Sequence, residues 1–122
     1  MPTLRNTCAA SLILAFALAG QTPARADDST VLIDLCRQYA AFPRGGEVTS
    51  DFIQLKSSCA GFINSTVRLS RADDGFCRPP HVDMDELTKI YMAWVDKHPD
   101  RVKEPTKVTI SAAMAEVYVC PK

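Results

Sequence analysis

The stretch DMDELTKIYMAWVDKHP, residues 83–99, decides how this chain is read. Asp83 and Glu86 make an Asp-x-x-Glu start, in which side-chain oxygens satisfy the orphan N–H groups of a helix's opening turn. Leu87, Ile90, Tyr91, Trp94 and Val95 then recur at i, i+3, i+4, i+7 and i+8, one face of an α-helix. His98-Pro99 closes the pattern, because the residue before a proline is pushed out of helical geometry. Such a helix has an apolar stripe that must be buried against other elements, so the flanking sequence should supply them.

It does so on both sides. Upstream, Ser29 to Ala41 places Val31, Leu32, Leu35, Cys36 and Tyr39 at helical spacing, with Ser29 or Thr30 as cap and Pro43 and Gly45-Gly46 as the stop. A second helix is expected from Thr49 or Ser50 to about Ser70, on the line Phe52, Leu55, Cys59, Phe62, Ile63 and Val67. Gly61 weakens it by about 1 kcal/mol relative to alanine, a cost that close packing at this point would explain. Arg71 to Val82 reads as a polar loop punctuated by Asp73-Asp74-Gly75 and Pro79-Pro80. Downstream, after a charged turn from Asp100 to Glu104, Pro105 suits the first position of a last helix running to about Val119. Val108-Thr109-Ile110 alternates and is β-branched, which allows a short strand, but the alanines and Met114 that follow favour a helix. The expected fold is therefore all-α: four helices around one core, without repeats or a second domain.

The N-terminus has the parts of an export signal. Arg5 precedes an apolar run from Cys8 to Gly20, and Ala24-Arg25-Ala26 supplies a small-x-small cleavage pattern. That run is shorter than the roughly 20 residues needed to span a bilayer, so it reads as a signal peptide, residues 1–26, and not as a retained anchor. Cleavage after Ala26 leaves residues 27–122 as one small domain, exported from the cytosol through a Sec-type pathway.

All 14 acidic residues fall in that domain, whereas Arg5 and Arg25 leave with the signal, so the mature chain carries a net charge of −2. Such a balance gives no basis for binding nucleic acid, whose partners show a basic face, or an anionic membrane. Four of the five cysteines remain, Cys36, Cys59, Cys77 and Cys120, an even number in an exported chain. None forms a C-x-x-C pair, which removes support for zinc, haem attachment and thioredoxin chemistry. Two disulfides are expected, each stabilising by roughly 3–4 kcal/mol.

Catalytic patterns are not found. Thiol catalysis by a cysteine with His81 or His98 needs a free thiolate, which disulfide pairing removes. Asp73-Asp74 and Asp83/Asp85/Glu86 lack the donor alternation, central glycine and distal glutamate of a calcium loop, and a solvated loop and a helix start account for them. Of Tyr91, Met92 and Trp94, aromatic and Met positions of the kind that line ligand pockets, Tyr91 and Trp94 have the helical spacing of core packing. There is no Gly-x-Ser-x-Gly elbow. The sequence argues for a non-enzyme without cofactor or metal.

With these residues laid out, the chain from Cys59 to Pro121 resembles the Tai/Rap immunity family of type VI secretion systems. The likeness lies in Cys59-Ala-Gly-Phe62-Ile63, in Phe76-Cys77-x-Pro79, in the helix closing in Asp96-Lys97-His98-Pro99-Asp100, in Pro105 and in Cys120, with Leu35-Cys36 fitting near the mature start. The resemblance implies a periplasmic helical protein, often a homodimer, that binds an injected peptidoglycan amidase-type effector, one loop plugging its active-site groove. The candidate loops are Arg71 to Pro80 and Asp100 to Glu104, with Asp73, Asp74, Arg78, Asp100, Arg101 and Lys103 as candidate contact residues.

A looser likeness is to small periplasmic acid-stress chaperones of the HdeA type; an accessory periplasmic protein unrelated to toxins is the further alternative. The cysteine pairing stays open among three connectivities. Simple antiparallel hairpins would join Cys36 to Cys59 and Cys77 to Cys120, whereas the chaperone likeness implies Cys59 to Cys120, leaving Cys36 for Cys77. The second is the pairing expected here, since it ties the second helix to the last across the core.

Overall fold

A computed structural model describes residues 28–122; the expected signal peptide and its cleavage point lie outside the described residues. Helix α1 spans Thr30–Ala41. A long helical rod follows in three parts: α2 (Ser50–Lys56), a π-helical turn (Ser57–Gly61) and α3 (Phe62–Leu69). Helices α4 (Met84–Lys97) and α5 (Thr106–Val117) complete the set, with short 3₁₀ turns at Ala72–Asp74 and Pro99–Arg101. With the three-part rod counted once, this is the expected four-helix, all-α architecture.

Local chemistry sets the ends of these elements. The Thr49 hydroxyl accepts the Phe52 N–H at the start of α2, and the Asp83 carboxylate accepts the Asp85 N–H at the start of α4. His98 at the end of α4 turns its ring back so that Nδ1–H donates to the Trp94 carbonyl at 2.8 Å. At Gly75, φ is +96°, the left-handed conformation that closes the 3₁₀ turn and that glycine adopts without steric cost.

The core gathers one stripe from each helix: Leu32, Ile33, Cys36 and Tyr39 from α1; Cys59, Ala60, Ile63 and Val67 from the rod; Leu87, Tyr91, Trp94 and Val95 from α4; Ile110, Ala113 and Met114 from α5. Phe76 joins them from the loop. Two expected core positions are turned out: Val31 is 69 % exposed and Phe62 48 %. On α1 the stripe is centred one position later, so Ile33 is buried in place of Val31. In the rod, the π turn inserts extra arc and brings Cys59 and Ala60 onto the core face, leaving Phe62 outside. Gly61 is not required by packing, since a Cβ there would meet nothing nearer than the Lys56 carbonyl oxygen at 3.8 Å. Residues Val108–Ile110 are helical, with Thr109 and Ile110 buried and Val108 facing out, so the short-strand alternative does not apply.

The cysteine pairing differs from the expected one. Cys36 bonds Cys59, with Cα atoms 4.9 Å apart, and Cys77 bonds Cys120, at 4.7 Å. Chain order explains this: α1 and the rod are consecutive helices joined by a short loop, so Cys36 and the π turn meet directly. Cys77 is carried to the chain's end by the loop, where its N–H donates to the Tyr118 carbonyl at 2.9 Å. The rod and α5 are held together by core packing and not by sulfur.

A buried polar network anchors the first described residues. Ser29 Oγ donates to the Glu104 carbonyl and lies 2.7 Å from Thr109 Oγ1, which also pairs with the Tyr91 hydroxyl at 2.9 Å. Ser29 thus occupies the position before α1 without capping it; the Asp28 carboxylate accepts the Thr30 N–H instead. An isolated bridge between Asp28 and Pro105 fixes the start of α1 beside the start of α5.

Candidate partner-binding face

Each of the two charged loops is fastened to the helical body, in a different way. In the first, Phe76 is buried and Cys77 is disulfide-bonded, which pins the middle of the loop. Asp74 Oδ2 accepts the Arg71 N–H at 2.8 Å, while Oδ1 lies 3.2 Å from Lys107 Nζ on the first turn of α5. The Arg71 backbone N–H, and after it Lys107, holds the Asp74 carboxyl below its ordinary range. Asp74 is therefore a loop anchor, and Asp73 beside it is exposed.

In the second loop, Arg101 Nε donates to Glu104 Oε2 at 2.6 Å, and the guanidinium sits 5.0 Å from the Trp94 ring centroid. His98 stacks on the same indole at 4.4 Å, so Trp94 is flanked by an imidazole ring and a guanidinium. Arg101 is thus committed to the turn, whereas Asp100 and Lys103 are exposed. Of the six candidate contact residues, Asp73, Asp100 and Lys103 are presented to solvent, and Asp74 and Arg101 hold the loops in shape.

Arg78 belongs to a different setting. Its Nη1 donates to the main-chain carbonyl of Arg68, one residue before the end of α3. Arg68 and Arg78 line one open cleft of about 790 Å³ together with His81, Asn64 and Asp83. Its apolar surface comes from Val67, Val82, Leu87 and the Pro79-Pro80 pair. Among the described residues, no carboxylate lies within 4.0 Å of either guanidinium. Sequence reasoning singled out Arg78 but not Arg68, which looks like one more polar residue on a helix's solvent side.

A second concavity runs along the rod between Ile53, Ser57, Gly61 and Phe62, with Met84 at its edge. Ile53, Phe62 and Leu69 are each about half exposed or more. Of the three, Phe62 alone lies on the three-and-four line expected to be core, and Ile53 and Leu69 lie off it. Among the described residues, no group of three His, Cys, Asp or Glu side chains is placed to hold a metal, and no helix is long and apolar enough to cross a membrane.

A disulfide-stapled helical domain with loops fixed in shape and charged at their tips has the build of a protein-binding module. Comparison with family models matches residues 28–120 to Rap1a immunity proteins, and the chain belongs to that family. Searches of curated proteins and of solved structures gave no match. The match takes in all five α-helices, the π turn and all four paired cysteines. The family implies a role in type VI effector–immunity pairing and a protein partner.

Proposed function

We propose that the mature protein, exported to the periplasm after cleavage behind Ala26, binds a peptidoglycan amidase-type effector delivered by a type VI secretion system and blocks its active site without catalysis of its own. The observation that carries this reading is the family match, which covers residues 28–120 of the described 28–122. The loop fastenings support it further. Blocking a groove demands an element that keeps its shape when bound, since each side chain ordered on binding costs about 0.5–1.5 kcal/mol. The Arg71–Pro80 loop is fixed by Phe76, Cys77 and Asp74 before any partner arrives. The Asp100–Glu104 turn is fixed by the Arg101–Glu104 pair and by Trp94.

The test is protection. Cells that express the co-encoded effector in the periplasm should lyse, and co-expression of this chain with its leader should prevent lysis. The same chain lacking residues 1–26, and so retained in the cytosol, should give no protection. Lysis that proceeds at the same rate with and without the exported protein would overturn the proposal.

A further inference from the structure

We infer that the cleft between Arg68 and Arg78 is the docking point for an acidic side chain of the effector; this rests on the effector-binding reading above. A chain with a net charge of −2 after signal removal has no general excess of cations, so two guanidiniums in one cleft, with a histidine beside them, are a local feature. Both are arginines, whose planar fork binds carboxylates through paired hydrogen bonds in a way that lysine cannot. Two other arginines are engaged: half-buried Arg101 has Glu104 within 2.6 Å, and Arg44 lies over the Tyr39 ring at 4.7 Å. Arg37 and Arg71 are exposed without a carboxylate partner within 4.0 Å among the described residues, so what sets this cleft apart is that two guanidiniums share it. Arg68 has no carboxylate within 4.0 Å among the described residues, and Arg78 spends one nitrogen on the Arg68 carbonyl.

That one hydrogen bond has a second consequence. It fixes the Arg78 side chain against the end of α3, so one of the two cationic groups is held in place before a ligand arrives, which lowers the ordering cost of binding. The one acidic residue on its lining, Asp83, has a carboxylate oxygen engaged by the Asp85 N–H at 2.7 Å. Next to the guanidiniums, Pro79-Pro80, Val82 and Leu87 give an apolar surface along which the methylenes of a glutamate, or an apolar neighbour of an aspartate, can lie. A carboxylate on an apolar stem, carried by an exposed protein loop, suits both parts of this lining. The cleft also contains part of the Arg71–Pro80 loop, so an acidic side chain bound here would sit at the base of the segment that does the blocking.

The experiment measures binding of the mature protein to its co-encoded effector by calorimetry, at low and physiological ionic strength. Arg68→Gln should weaken binding about tenfold, and Arg68→Gln with Arg78→Gln by about 100-fold or more, with helicity and melting temperature retained. Arg68→Glu should weaken it further than Arg68→Gln, because it adds repulsion. Arg78→Lys keeps the charge and loses the fork, and should fall between wild type and Arg78→Gln. The wild-type affinity should drop with added salt more steeply than that of the double variant. A wild-type protein that fails to bind the effector defeats the effector reading itself. A wild type that binds, with the double glutamine variant binding equally well, defeats the cleft alone. The inference is equally overturned if the cleft arginines prove necessary for binding soluble peptidoglycan stem peptides, whose carboxylates offer the same chemistry, but not for binding the effector.

Discussion

Thr109 shows how much of this small core depends on one hydroxyl. It is fully buried, and its Oγ1 lies within hydrogen-bond distance of Ser29 Oγ, the Tyr91 hydroxyl and the Thr106 carbonyl, with one proton of its own to give among them. Thr109→Val keeps the volume but withdraws that hydroxyl from both neighbours. The expected cost is about 1–3 kcal/mol, seen in thermal unfolding as a melting temperature roughly 5–15 °C lower. Tyr91→Phe, which removes a donor without stranding another group, should cost less. The same phenol sets an alkaline limit. Burial pushes the Tyr91 phenol above its ordinary range, its hydrogen bonds to Thr109 and Ser29 acting the other way. Burial raises the Tyr39 phenol too, followed by its hydrogen bond to Asp85, and burial followed by Glu86 raises Tyr118. The folded state therefore favours the neutral phenols. Their contribution to stability is complete below the unfolded-state value near 10 and is lost as pH rises through the higher folded values. Absorbance titration should show tyrosinate appearing at higher pH in the native protein than in the unfolded one, with denaturant midpoints falling over that interval.

Among the elements, the rod from Ser50 to Leu69 separates what periodicity can tell from what it cannot. Its existence, its Thr49 cap and its core positions Cys59, Ile63 and Val67 are legible as three-and-four spacing. The π turn is not, because one inserted residue leaves the composition unchanged and only shifts the face on which Phe62 falls. Helix α4 is legible end to end, since cap, stripe and terminator all agree, although the Asp83 cap reaches Asp85 rather than closing a reciprocal box with Glu86. The loops that form the candidate site are visible in their Pro, Gly and charge content. The cleft is not, because Arg68 and Arg78 are brought together by a turn whose path depends on where Phe76 is buried. Gly61 offers a test at this scale. With no packing reason for glycine and a φ of −63°, Gly61→Ala should stabilise the protein by about 0.5–1 kcal/mol. A destabilised variant in chemical denaturation would mean that the π turn needs glycine for another reason.

For the whole molecule, the disulfides join neighbours in the chain, Cys36 with Cys59 and Cys77 with Cys120. They divide the domain into two staples: one closes the α1–rod hairpin, and the other secures the Arg71–Pro80 loop to the chain's end. Four cysteines allow three pairings, and composition alone does not choose among them; the consecutive packing of α1 against the rod does. Digestion without reduction should yield peptides linked as Cys36–Cys59 and Cys77–Cys120. Replacing Cys77 and Cys120 by serine should lower stability by about 4 kcal/mol and, because it frees the loop, weaken effector binding as well. The Cys36/Cys59 double serine variant should lower stability by about 3 kcal/mol with less effect on binding.

Inhibition of the effector is the most direct test. Purified mature protein, residues 27–122, titrated into the co-encoded hydrolase while peptidoglycan cleavage is followed, should abolish turnover at an equimolar ratio. Cleavage that continues undiminished at a several-fold excess of the protein would contradict it.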